Sequence, residues 1–269
     1  MLINNVLLHV RRDDVENARG SVIITHGIAE HSGRYDDVVR VLNDAGFSVV
    51  RYDVRGHGQS QGRRGWVKSF HDPVDDLHAL VIEEKKRNPH KLFLVGHSMG
   101  GLIVNVYAVK YGDVDGIVSS AAASWFVKDV MPLRIIGYRW LGFVMKKTDF
   151  ADDQLSRIKE VEDAYVADPL NLKAFSIALA GQMMVGGVRY LNKHLSSYKT
   201  PVLFLHGGSD KIVPAAFSKR LHDLVPAKDK TLVIYPESYH EIFNDLDKET
   251  VYKDMTDWLQ KRSEKDEGA

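Results

Sequence analysis

The stretch from Leu92 to Val106 limits what this chain can fold into more than any other. A short apolar run, Leu92 to Val95, meets Gly96-His97-Ser98-Met99-Gly100, and Leu102, Ile103 and Val106 then follow at helical spacing. A strand that turns straight into a helix leaves little room at the turn. Glycines therefore flank it, and the hydroxyl of the central serine projects above the strand end. The motif presupposes a strand buried in a sheet with a helix packed back against it.

The rest of the chain repeats that unit. Val22 to Thr25, Phe47 to Tyr52, Gly116 to Ser119, Val202 to Leu205 and Thr231 to Tyr235 are short, continuous aliphatic or β-branched runs, as in strands covered on both faces. Helical stretches are expected at 36–45, 73–87, 99–111, 215–225 and 248–262. In the second of these Asp72 can cap, Pro73 takes the first turn, and Val74, Leu77, Leu80 and Val81 share a face. One strand, around Val6 to Val10, precedes Val22. The alternation implies a mainly parallel central sheet flanked by helices, with ligands beyond the carboxyl ends of its strands. It fails between Ala122 and Ser197, a stretch that reads as helices and loops without a strand. Residues 1–121 and 198–269 are thus expected to form the core, and 122–197 a helical cap inserted over the sheet.

Composition removes several function classes. Acidic and basic side chains number 36 each, which argues against a nucleic-acid binder. The chain has no cysteine, so disulfides, thiolate metal sites and a cysteine nucleophile are excluded, and a reducing cytoplasm fits. Met1-Leu2-Ile3-Asn4-Asn5-Val6 lacks the basic start and unbroken apolar run of a signal peptide. No apolar run approaches the ~18 residues of a membrane span.

A serine nucleophile needs a base, and the base needs an acid to fix its tautomer. In this architecture their chain order is serine, acid, histidine. Asp210, in His206-Gly207-Gly208-Ser209-Asp210, and His240, in Glu237-Ser238-Tyr239-His240, follow successive strands in that order. Ser98, Asp210 and His240 are the expected catalytic residues. The loop His26-Gly27-Ile28-Ala29-Glu30-His31 is placed to supply an oxyanion donor, so the backbone N–H groups of Ile28 and Met99 are the candidates. His26, His31, His57, His97 and His206 are left with structural or supporting roles. Gly56-His57-Gly58-Gln59-Ser60 carries Gln61 where a dinucleotide fingerprint needs glycine, and His240-Glu241-Ile242-Phe243-Asn244 has Asn where a zincin helix needs its second histidine. No cofactor and no metal are expected.

These residues resemble the monoacylglycerol lipase and lysophospholipase family of the α/β-hydrolase superfamily. The resemblance rests on His26-Gly27 with Glu30-His31-Ser32-Gly33-Arg34-Tyr35, on Gly56 to Ser60, on Gly96 to Gly101, on Ala164-Tyr165 with Asp168-Pro169-Leu170, and on Tyr239 to Asn244. It implies an α/β-hydrolase fold with a helical cap, the triad Ser98, Asp210 and His240, and oxyanion donors at Ile28 and Met99. It further implies that Tyr165 faces the glycerol end of a substrate. Glu30 and Arg34 match positions near the bottom of that pocket, or form an ion pair that holds the oxyanion loop. The chain departs from the pattern in its short N-terminal region, in the bulky Ile28 and in Glu241-Ile242-Phe243 after His240.

The expected function is hydrolysis of monoacylglycerols to fatty acid and glycerol through an acyl-enzyme, with a small-molecule lipid ester as partner. The alternatives are a lysophospholipase or broad carboxylesterase and, in another class, a non-catalytic lipid binder. An aminopeptidase would need an anionic site for a free α-amine, which the sequence does not display. Val127 to Lys147 is rich in apolar residues flanked by lysine and arginine. It reads as a roof over an acyl tunnel or as a surface making transient contact with a membrane. Oligomeric state is left open.

Overall fold

The computed structural model describes residues 1–126, 138, 142–150 and 153–264. Three short strands, β1 (Leu2–Ile3), β2 (Val6–Leu7) and β3 (Val10–Asp13), precede β4 (Gly20–Thr25). The sheet continues with β5 (Phe47–Tyr52), β6 (Lys91–His97), β7 (Gly116–Ser120), β10 (Val202–Gly207) and β11 (Lys230–Tyr235), while β8 (Met145–Lys147) and β9 (Ala174–Ser176) lie between β7 and β10. Seven strands form one sheet in the order β11-β10-β7-β6-β4-β5-β3. All pair in parallel except β3, which runs antiparallel along β5 at one edge.

The continuous apolar runs have the expected cause. Every residue of β4, β5, β7 and β10 is buried, because helices cover both faces. On one face Val38, Val39 and Leu42 of α1 (Asp36–Asp44) pack with Val251, Met255, Trp258 and Leu259 of the last helix, Lys248–Ser263, against Val22, Val49 and Val95. On the other, α2 (His71–Arg87) and α3 (Met99–Lys110) bury Leu77, Leu80, Leu102, Ile103 and Val106 against Ile23, Val50 and Leu94. Helix α3 is buried on nearly every side, since the sheet lies under it and the segment after β7 lies over it.

Three sequence readings need correction. The N-terminal strand around Val6 to Val10 is a β1–β2 hairpin followed by β3, with Asn4 and Asn5 at φ 45° and 63°. Two successive left-handed residues give the tight hairpin turn that asparagine tolerates, so the two residues that break the apolar run make the turn. Helix α2 begins at His71, and Phe70 rather than Asp72 stands at its cap position without a side-chain cap bond. Asp72 instead accepts from the Ser69 amide at 3.2 Å. Between Ala122 and Ser197, β8 and β9 pair antiparallel. Three-residue strands paired across some 30 residues, one of them containing two lysines, leave no alternation in the sequence.

Among the described residues of that stretch the remaining elements are α4 (Lys159–Ala167), α5 (Ile177–Gly181), a π-helical turn (Gln182–Gly187), α6 (Val188–Lys193) and a short 3-10 turn (Leu195–Ser197). Helix α7 (Ala216–Leu224) follows β10, and α8 is the last helix, Lys248–Ser263. Of the apolar run Val127 to Lys147, residues 127–137 and 139–141, including Met131, Leu133, Ile135, Ile136, Trp140 and Leu141, lie outside the described residues.

Candidate active site

Ser98 sits at the turn from β6 into α3 with φ 55° and ψ −113°, a backbone region costly for any residue with a Cβ. The flanking glycines make the turn fit. A Cβ on Gly96 would collide with the Gly100 carbonyl, and one on Gly100 with the Thr25 carbonyl of the neighbouring strand. The Ser98 amide donates to Ser120 O at 2.9 Å, which ties the turn to β7. Met99 is the first residue of α3, and the first N–H groups of a helix have no acceptor within it.

Asp210 lies just past β10 with its side chain wholly buried. Its Oδ1 accepts from the amides of Ile212 and Val213, both at 2.8 Å, and its Oδ2 accepts from His240 Nδ1 at 2.7 Å. His206 approaches the same oxygen through Nε2 at 3.1 Å. That Nε2 must carry the proton, because its other partner at 2.8 Å is the Val213 carbonyl. His206 Nδ1 then accepts from the Ser218 hydroxyl at 2.7 Å. Burial pushes the Asp210 carboxyl up, but His240 and His206 hold it well below the usual carboxylate range.

His240 donates through Nδ1, which leaves Nε2 as its basic nitrogen. Burial disfavours its protonation, yet the Asp210 carboxylate outweighs burial and raises its pKa. His97 packs beside it with ring centroids 4.8 Å apart. Burial, and then the charge His240 would carry, pushes His97 down to about 4. Two adjacent imidazoles thus divide, and His240 is the one set to take a proton near neutrality.

The loop after β4 is fixed from its own side chains. Glu30 Oε1 accepts from the Gly27 amide at 2.5 Å and the Tyr35 hydroxyl at 2.8 Å. His26 accepts from the Val54 amide at 2.9 Å, so its Nδ1 donates to Gly27 O at 2.7 Å. His31 bonds to Asp168 at 2.8 Å, beyond the end of α4. Arg34 bonds to Glu30 Oε2 at 2.9 Å and grips Glu241 through two contacts of 2.5 and 2.8 Å. Glu30 and Arg34 therefore form the ion pair that was one of their two readings, and Glu241 completes it. Burial raises the Glu30 carboxyl, but Arg34 beside it brings it down to about 2.

Two cavities meet at Ser98. A small one of about 30 Å³ is lined by Gly27, Ile28, Glu30, His97, Ser98, Leu155, Tyr165, His240 and Glu241, among others. A large one of about 580 Å³ is lined mostly by apolar side chains, including Ile28, Phe126, Phe150, Phe175, Met184, Val213 and Phe217. Ile28, Ser98, Phe150 and Ile212 border both. Tyr165 is 5% exposed, and its hydroxyl finds no hydrogen-bond partner among the described residues. Its ring lies under the Arg34 guanidinium at 4.8 Å. Burial, then the charge of Glu30, raises its pKa and keeps the phenol neutral.

All eight residues singled out from the sequence border the two cavities or belong, as Arg34, Asp210 and Met99 do, to the groups directly behind them. Two participants were not singled out. His206 had only a supporting role, and Glu241 appeared only inside the string Tyr239 to Asn244, with no role of its own. No sequence signal shows that Glu241 and Arg34, 207 positions apart, share a charge.

A mainly parallel sheet that delivers Ser98 on a strand-to-helix turn, with Asp210 and His240 following later strands, defines an α/β-hydrolase of the serine hydrolase type. The family model described as serine aminopeptidase, S33, matches residues 16–247. A monoacylglycerol lipase of Mycolicibacterium smegmatis is 34% identical over 90% of this chain and 88% of its own length. The human monoglyceride lipase is 30% identical over 90% and 82%. A crystal structure of Paleococcus ferrophilus monoacylglycerol lipase superposes with a TM-score of 0.86 at 32% identity, covering 95% of this chain and 99% of that one. The chain belongs to the monoacylglycerol lipase family of the α/β-hydrolase superfamily.

Proposed function

We propose that the protein hydrolyses monoacylglycerols to free fatty acid and glycerol. The observation that carries this reading is the placement of Ser98 between a large cavity lined mostly by apolar side chains and a small one bordered by Glu30, Tyr165, His240 and Glu241. One acyl chain fills the first, and the glycerol portion enters the second. Ser98 Oγ attacks the ester carbonyl while His240 Nε2 takes its proton, and Asp210 orients His240 and stabilises the imidazolium. The amides of Ile28 and Met99 receive the oxyanion. His240 then protonates the departing glycerol, and water repeats the sequence on the acyl-enzyme.

The buried hydroxyl of Tyr165, which has no hydrogen-bond partner among the described residues, supports a contact with a glycerol oxygen. Glu30 and Arg34 shape the same end by holding the loop of residues 26–30. Residues 122–197 act as a cap over a core of 1–121 and 198–269. Phe143, Val144 and Met145 are exposed beside Lys146 and Lys147, an apolar and basic edge suited to transient contact with a membrane surface. Among the described residues no helix is long and apolar enough to cross a membrane, and we place the enzyme in the cytoplasm.

The test is a panel of monoacylglycerol, triacylglycerol, lysophospholipid and short aryl esters in matched dispersions, with Ser98→Ala as control. The reading expects monoacylglycerol to lead in kcat/KM. Equal rates on triacylglycerol and monoacylglycerol would overturn it, and absence of turnover on every ester would favour a lipid binder.

A further inference from the structure

The small cavity beyond Ser98 is lined by more negative than positive charge. Its ionisable lining residues are Glu30, His97, Tyr165, His240 and Glu241. Among the described residues one cation, Arg34, bonds to both glutamates. Their other partners are neutral donors: the Gly27 amide and Tyr35 hydroxyl on Glu30, and the Asn244 amide on Glu241 at 3.0 Å. Among the described residues every contact that reaches these four oxygens is a donor, which is the pattern an acceptor-only carboxylate satisfies. His97 is neutral near pH 7, because burial pushes it down to about 4. Asp210 adds a further negative charge behind His240. Lys146 and Lys211 line the large cavity, not the small one.

Two carboxylates therefore share one guanidinium at a site where each is only 4% exposed, and water screens little of the surplus. Which carboxylate is the surplus follows from their other duties. Glu30 also holds the Gly27 amide, so its charge is tied to the geometry of the loop. Among the described residues Glu241 meets only Arg34 and Asn244 through its side chain.

We propose that Glu241 sets the substrate class of this site, making it select esters of neutral alcohols and reject those whose alcohol portion carries a phosphate or carboxylate. The inference rests on the reading that the alcohol portion occupies the small cavity. An uncompensated charge about 6 Å from an anion, at an effective dielectric constant of ~20, changes affinity on the order of a hundredfold. Lysophospholipids, which bear phosphate on that portion, fall among the poor substrates.

Size would also count against a phospholipid headgroup, since about 30 Å³ compares with ~10–15 Å³ for one water on the same measure. Charge is isolated by a pair of equal size: the carboxymethyl and carbamoylmethyl esters of one medium-chain acid, each rate normalised to its alkaline hydrolysis. In the wild-type enzyme kcat/KM for the neutral ester should exceed that for the anionic one on the order of a hundredfold. A wild-type ratio under about tenfold overturns the proposal without recourse to any variant. Glu241→Gln, which keeps the shape and removes the charge, should lower the ratio at least about fivefold, and a smaller fall in a folded variant that still turns over the neutral ester overturns the role of Glu241. Failure of the wild type on both monoacylglycerol and the neutral ester would instead strike the functional reading itself.

Discussion

The loops at the carboxyl end of the sheet and the segment between β7 and β10 both face Ser98, but different forces hold them. On the sheet side the parts are fixed by short buried polar contacts. Asp210 takes four donors, Glu30 takes three, and the turn at Ser98 closes against backbone on two sides. The intervening segment contributes Phe150, Phe175, Ile177 and Met184 as apolar lining. Its polar ties fall at a few seams, among them Leu172 N to Ala29 O at 2.9 Å, Glu241 N to Leu155 O at 2.8 Å and Arg157 to Asp245. Directional bonds fix atoms to within tenths of an ångström, as proton transfer demands. Dispersion and the hydrophobic effect fix only volume, as suits a flexible acyl chain.

The sheet side should break abruptly and the apolar side by degrees. Ser98→Ala should cost on the order of 10⁶ in kcat with the fold retained. Near-normal turnover by a folded Ser98→Ala protein would refute the division at its root. Ile28→Pro removes one amide donor and should cost about 2.7–4 kcal/mol of transition-state stabilisation. Ile28→Ala, which keeps the amide, should be much milder, and equal losses in kcat from the two folded variants would mean that the side chain matters and the amide does not.

pH gives the next effect in size. The His240 pKa is raised, and only its neutral form accepts the Ser98 proton. Activity should therefore be complete above the raised pKa and fall about tenfold for each pH unit below it. The midpoint should lie above the ~6.5 of a free imidazole, and a rate that stays flat from about pH 5 to 8, with chemistry rate-limiting, would exclude His240 as the base. The smallest effect belongs to the apolar side. Each added methylene should raise kcat/KM by up to about fourfold, from ~0.8 kcal/mol of burial, until the 580 Å³ cavity is full. A monoacylglycerol series measured below its critical micelle concentrations would show this slope, or its absence.

The same division governs what the sequence discloses. β4, β5, β6, β7 and β10 were legible because strands buried on both faces must be continuous and apolar, and the Ser98 turn because backbone contact dictates its glycines. β11 shows the same kind of run, but it is an edge strand that is only half-buried and not covered on both faces. The hairpin at Asn4-Asn5 escaped because it is set by two dihedral angles. β8 and β9 escaped because six residues carry no period. His240 and Asp210 could be found from their order after strands. Glu241 could not, since its meaning depends on Arg34, which only the fold brings near.

The backbone at Ser98 has one more consequence, for heat stability. Holding a residue with a Cβ at φ 55° and ψ −113° costs on the order of 1–3 kcal/mol, which glycine does not incur. Ser98→Ala keeps the Cβ and so the strain. Ser98→Gly releases it, less the ~0.5–1 kcal/mol that glycine loses through its freer unfolded state. In a chain of this size that difference should raise Tm by a few degrees, at about 2–4 °C per kcal/mol, and calorimetry of the two variants side by side would detect it. A search for hardier versions of this enzyme that scores melting temperature alone would thus be drawn to glycine at position 98, where the protein would outlast its parent in heat and hydrolyse nothing.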